Sequence, residues 1–157
     1  MTQLIEEKDV TPVNLSVELE RAVIEHTMDD DHSIYVTEDS WFPFWIRIHQ
    51  GSGYVSFKTH TNFKKSSNRL QRLEICNAFN KNRFMLTCYE SQDRLYFDHV
   101  LSFRDGLLRE NFVRSCRQFA NNIAIGFADT DPDNIFVLRP GVTEPEDETG
   151  DQAQGGQ

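Results

Sequence analysis

The stretch FWIRIHQGSGYVSFKTH, residues 44–60, decides the fold. Side chains on a strand alternate between its two faces. Phe44, Ile46 and Ile48 therefore share one face and Trp45, Arg47 and His49 the other. Past the glycines, Val55, Phe57 and Thr59 oppose Tyr54, Ser56, Lys58 and His60. A two-residue turn at Gly51-Ser52, where glycine supplies a positive φ, pairs Ile48 with Val55 and Ile46 with Phe57. Both apolar sets then fall on one side. A slip of one residue would send them to opposite sides, so the coincidence fixes the register.

Outward from this hairpin, residues 84–100 pass the same test. With a turn around Ser91 and Gln92, Cys88 pairs with Leu95 and Leu86 with Phe97. Met85, Thr87, Tyr89, Tyr96 and Asp98 then face away, and His99 falls inward opposite Phe84. Helices fill the gaps. Ser66 or Ser67 can cap a helix running to about Asn82, because a serine oxygen accepts a bond from a first-turn amide; Leu70, Leu73, Cys76 and Phe79 form its stripe. A longer helix over Leu107 to Phe127 carries Leu108, Phe112, Cys116, Phe119, Ala120 and Ile123. Thr11 can cap a first helix with Pro12 in its opening position and Leu15, Leu19, Ala22, Val23 and His26 on one face. Ser33 to Glu38 reads as a short edge strand and Ile135 to Leu138 as another extended piece. The class is α+β: an antiparallel sheet of two hairpins plus edge strand or strands, with helices packed on one face.

A chain of 157 residues suits one domain, placed here at residues 11–139. Twelve phenylalanines supply its core. Residues 1–10 read as a flexible acidic N-terminus and residues 140–157 as a disordered acidic tail, since the latter have no basic residue and little apolar surface to bury. The net charge of −9 is divided: residues 40–139 hold 14 Lys and Arg against 9 Asp and Glu, whereas the two ends hold 2 against 16. No apolar run approaches the ~20 residues that span a bilayer, and MTQLIEEKDV is acidic where a signal peptide is basic and then apolar. The expectation is a cytoplasmic protein without a membrane partner.

Residues that could carry chemistry are scattered. His49 and His60 sit at opposite ends of the first hairpin, on the order of 20 Å apart at about 3.3 Å per residue, so they cannot share a metal. The acidic run Asp29, Asp30, Asp31 lacks the spacing and turn glycine of a calcium loop. Cys76, Cys88 and Cys116 each lie on an apolar face without a CxxC pair, which favours reduced core thiols over a disulfide or a metal site. Ser52 in Gly-Ser-Gly has no GxSxG context and precedes a strand, and no glycine-rich phosphate loop exists. Neither a catalytic residue nor a cofactor is expected. Lys64, Lys65, Arg69 and Arg72 open the middle helix and Arg109, Arg114 and Arg117 decorate the last, but their spacing is that of a solvated face and the acidic ends oppose a polyanion.

The outward face of the sheet is the better candidate. It offers Trp45, Arg47, Tyr54, Lys58, Met85, Tyr89 and Tyr96, with Thr87, Asp98 and Val100 among them, a mixture typical of protein interfaces. Trp45 lies across from Lys58, within reach of a cation–π contact.

The runs WFPFWIRIHQGSGYVSFKT, LQRLEICNAFNKNRFMLTCYE and RLYFDHVLSFRDGLLRENFVRSCRQF, and above all Asn77-Ala-Phe-Asn80 followed by Arg83-Phe84, resemble the bacterial YbjN family of sensory transduction regulators over about residues 13–127. The resemblance implies a fold like that of type III secretion chaperones, small acidic proteins that are often dimeric and hold extended segments of clients. It transfers no catalytic site. Asn77 and Asn80 are read as structural, tying backbone groups beside the helix. The expected function is a non-enzymatic, chaperone-like or regulatory protein-binding module, a homodimer with a protein or peptide client. The alternatives are a nucleic-acid-binding regulator and a small-molecule sensor.

Overall fold

The computed structural model describes residues 3–140 and 142–144. In chain order the elements are β1 (Leu4–Ile5), a 3-10 turn (Glu7–Asp9), α1 (Pro12–Arg21), β2 (His26–Met28), β3 (Ile34–Val36), β4 (Phe44–His49), β5 (Tyr54–Asn62), α2 (Arg69–Asn82), β6 (Thr87–Ser91), β7 (Arg94–Ser102), β8 (Leu107–Leu108) and α3 (Arg109–Thr130). Six strands form one antiparallel sheet in the order β2-β3-β4-β5-β7-β6, and β1 pairs with β8. The class is α+β, as the sequence indicates.

The register of the first hairpin is Ile46 with Phe57 and Ile48 with Val55. Its turn is longer than two residues. Gln50 to Gly53 form it, Gly53 rather than Gly51 has the positive φ (70°), and its N–H donates to His49 O at 2.8 Å. The second hairpin turns at Gln92 and Asp93, both at positive φ, so Cys88 pairs with Phe97 and Tyr89 with Tyr96. The pairing expected from sequence is therefore off by two residues. A shift of two keeps every side chain on its face, which is why alternation alone does not detect it. His99 pairs with Phe57 and packs against its ring, while Phe84 is 85% exposed in the loop before β6.

Helices α2 and α3 cover the inward face. Phe119 meets Phe44 with ring centroids 5.1 Å apart, Phe112 meets Phe57 at 6.3 Å and Phe79 meets Phe97 at 4.9 Å. Each fully buried phenylalanine contributes ~1.5–3 kcal/mol, more than the ~1 kcal/mol of a typical hydrogen bond, so this layer dominates the energetics. The two helices approach closely at Gly126, where an added Cβ would lie 2.0 Å from the Phe79 ring.

The structure revises several boundaries. Asn68, not a serine, caps α2 in a reciprocal box with Gln71. Its buried stripe is Ile75, Cys76 and Phe79, while Leu70 and Leu73 are exposed. The last helix begins at Arg109 because Leu107 and Leu108 pair with β1, which buries Leu107 and leaves Leu108 exposed. Thr11 caps α1, accepting from Asn14 N–H at 3.2 Å, but the helix stops at Arg21: Val23 takes φ 57° and His26 enters β2. That strand lies outside β3, so Ser33 to Glu38 does not form the edge. Residues 4–10, expected to be flexible, hold β1 and the 3-10 turn and bury Ile5 and Val10. The buried Asp131 carboxylate accepts the N–H groups of Ile135, Phe136 and Val137, and Val137 bridges to Phe63. The expected disordered tail falls, from residue 145 on, outside the described residues.

Candidate functional site

Among the described residues, helices pack on one face of the sheet and leave the other bare. On the bare face, β3 supplies Tyr35, β4 Trp45, β5 His60, β7 Tyr96 and β6 Tyr89. Their rings form one continuous row: Tyr35 to Trp45 at 4.7 Å between centroids, Trp45 to His60 at 5.9 Å, His60 to Tyr96 at 5.4 Å and Tyr96 to Tyr89 at 5.2 Å. Interplanar angles along the row run from 7° to 36°. These separations are close to the ~4.8 Å between strands, so the rings stand upright, stacked sideways, with their edges outward.

The row is bordered by a groove on the bare face and by a pocket at the end of the sheet. The groove, about 620 Å³, is lined by Arg47, His49, Tyr54, Ser56, Lys58 and Asp98. The pocket, about 200 Å³, includes Pro43, Thr59, Thr61, Asn62 and Arg139. Trp45 and His60 border both. Lys58 does lie across from Trp45, but its ammonium sits 5.6 Å from the Tyr96 centroid and 5.9 Å from that of Tyr89, so the cation–π contact is with the tyrosines. A hydrogen bond with Tyr89 raises the Lys58 pKa, and Asp98, 3.8 Å away, adds to this against the effect of burial. Burial first, then Arg94 and Lys58, holds His60 below the ordinary imidazole range.

The acidic run folds onto the rim of this face. Asp29 accepts the Trp45 indole N–H at 3.3 Å, and Asp31 pairs with Arg47 at 2.9 Å, whose Nε–H also donates to Ser33 Oγ. Those carboxylates orient Trp45 and Arg47. Among the described residues no group of histidine, cysteine and carboxylate side chains could hold a metal ion.

Of the residues expected on this face, the sheet brings together Trp45, Arg47, Tyr54, Lys58, Tyr89 and Tyr96. Met85 is not part of a strand; it precedes β6 at φ 55°, so alternation does not place it. Asn80 donates to Cys88 O and accepts from Cys88 N–H, both at 2.8 Å, while Asn77 is exposed on α2. Sequence reading passes over Tyr35 and His60 as members of the site. Tyr35 is signalled only by its place between the inward Ile34 and Val36, and His60 meets Trp45 diagonally, a contact that needs the strand order.

Two chemical options can be weighed on this geometry. His49 Nε2 and Ser56 Oγ are 2.8 Å apart, the nearest approach to a nucleophile–base pair. Nucleophilic catalysis also needs a group orienting the base and donors for an oxyanion. Among the described residues no carboxylate hydrogen-bonds the His49 ring, and Ser56 lies mid-strand between Arg47 and Val100. A platform for nucleic-acid bases needs free aromatic faces. Here the ring faces are turned to one another.

No helix among the described residues is long and apolar enough to cross a membrane. No curated protein matches the chain. A model of the YbjN family, described as "Putative bacterial sensory transduction regulator", matches residues 11–127. The fold is similar to the crystal structure of YbjN from E. coli, with TM-score 0.66 and 16% identity over 80% of this chain and 94% of that one. It is also similar to the Yersinia pestis type III secretion chaperone SycH, solved with a stable fragment of YscM2, with TM-score 0.50 and 12% identity over 73% of this chain and 98% of that one.

Proposed function

The chain belongs to the YbjN family, and from that premise we propose that it is a non-enzymatic protein-binding factor, chaperone-like or regulatory, that works as a homodimer in the cytoplasm. The observation that carries this reading is the row of five rings across the bare face of the sheet. Upright aromatic edges beside Arg47 and Lys58 offer a partner apolar area and directional polar contacts together, the composition that protein interfaces favour. An extended client needs no pocket of its own to use such a face. SycH, which shares the fold, was crystallised with a protein fragment bound. Three buried, free cysteines suit the reducing conditions of a cytoplasmic protein.

The double substitution Trp45→Glu with Tyr96→Glu puts two charges into the row without touching the buried layer. The expected result is loss of self-association by light scattering and of the clients that the wild type retains in pull-downs from the native cell. Unchanged mass together with unchanged capture, by a variant with wild-type circular dichroism, would refute the reading.

A further inference from the structure

Asn80 on α2 grips both main-chain groups of Cys88 on β6. Cys76 lies one turn earlier on the same helix, so the clamp sets both cysteines between helix and strand. Both side chains are buried there. A hydrogen bond from Cys88 holds the Cys76 thiol below its ordinary range, whereas burial, reinforced by that interaction, pushes Cys88 up. Cys116, on α3, is buried without exposure and pushed up by burial. All three are free thiols.

We propose that Cys76 and Cys88 form a disulfide site that reacts with hydroperoxides and links α2 covalently to β6. The Cys76 thiolate attacks one oxygen of the peroxide; the O–O bond breaks, the leaving oxyanion takes a proton from solvent, and Cys76 becomes a sulfenic acid. Cys88 then attacks the Cys76 sulfur, the S–O bond breaks, and the departing hydroxide leaves as water with the Cys88 proton. Two thiols and one hydroperoxide thus give one disulfide, one alcohol (water, for hydrogen peroxide) and one water. Side chains that the Asn80 clamp places between one helix and the strand beside it have little backbone to move before closing to a bond of about 2 Å. The ring closed by the bond contains Arg83 to Met85, the loop that displays Phe84. Arg83 is paired with Asp129, and Asn122 donates to Phe84 O, so the loop is held to α3 at two further points. Oxidation therefore fixes α2, the loop and β6 as one unit. None of these residues belongs to the aromatic row.

The test uses the full chain and hydrogen peroxide. After treatment, free thiols are alkylated in denaturant and the protein is digested with trypsin without reduction. Residues 73–81 carry Cys76 and residues 84–94 carry Cys88 on separate tryptic peptides. The expected product is the linked pair of these peptides, lighter by two hydrogens and separated by a reducing agent, with Cys116 recovered alkylated. The Cys88→Ser variant should stop at the sulfenic acid, trapped by a dione reagent. Recovery of Cys76 and Cys88 as alkylated thiols at doses that oxidise a free cysteine overturns the proposal. So does linkage of either one to Cys116 or to a second chain in their place.

Discussion

Asn80 does for β6 what a seventh strand would do. Because Ser91 and Arg94 flank a two-residue turn, Thr87, Tyr89 and Ser91 bond to β7 and the main chain of Cys88 and Glu90 points away from the sheet. Open strand edges invite pairing with other chains. Asn80 occupies both outward groups of Cys88 with one amide. Asn80→Ala should cost about 1–3 kcal/mol, since it strands a donor and an acceptor. It should also introduce concentration-dependent assembly, whereas the exposed Asn77→Ala leaves both properties alone. Urea melts and light scattering at several protein concentrations check this; equal midpoints for the two variants would dismiss the edge-closing role.

Among elements, the contact of α2 with α3 has the least room for change. Gly126→Val should lower stability by about 1–3 kcal/mol through the clash with Phe79, read as a shift of the urea midpoint at constant m-value. This contact was not legible in the sequence, where Gly126 looks like one more helix position. The first hairpin was legible because strict alternation on two neighbouring strands allows one register. The second was legible in its faces but not in its pairing, since Gln92 and Asp93 take positive φ without the Asn-Gly signature of such turns. His26 to Met28 gave no signal at all: three residues do not establish a period, and the structure makes them the outer strand. The same shortness, in β3, hid Tyr35, one ring of the five. Trp45, Tyr89 and Tyr96 follow from alternation, but their continuity through Tyr35 and His60 depends on which strands are neighbours.

For the whole molecule, the pH response follows from two histidines. Burial depresses His99, and burial together with Arg94 and Lys58 depresses His60, both from an ordinary value of 6.5. The unfolded chain then binds protons that the folded chain refuses, so their contribution is fully present above pH 6.5 and is lost as pH falls through the folded values. The melting temperature should fall between about pH 7.5 and about pH 5.5, above the range where ordinary carboxylates titrate. His60→Gln combined with His99→Gln should flatten that slope. An unaltered slope in the double variant would assign the effect to other groups. The arrangement of layers has one more outcome. Both tryptophans of the chain sit within five residues of each other, yet Trp41 stacks on Phe44 beneath the sheet and Trp45 stands between Tyr35 and His60 above it. The protein thus carries its own two-channel fluorometer: with Trp41→Phe or Trp45→Phe, the remaining emission reports which side of the sheet has been touched.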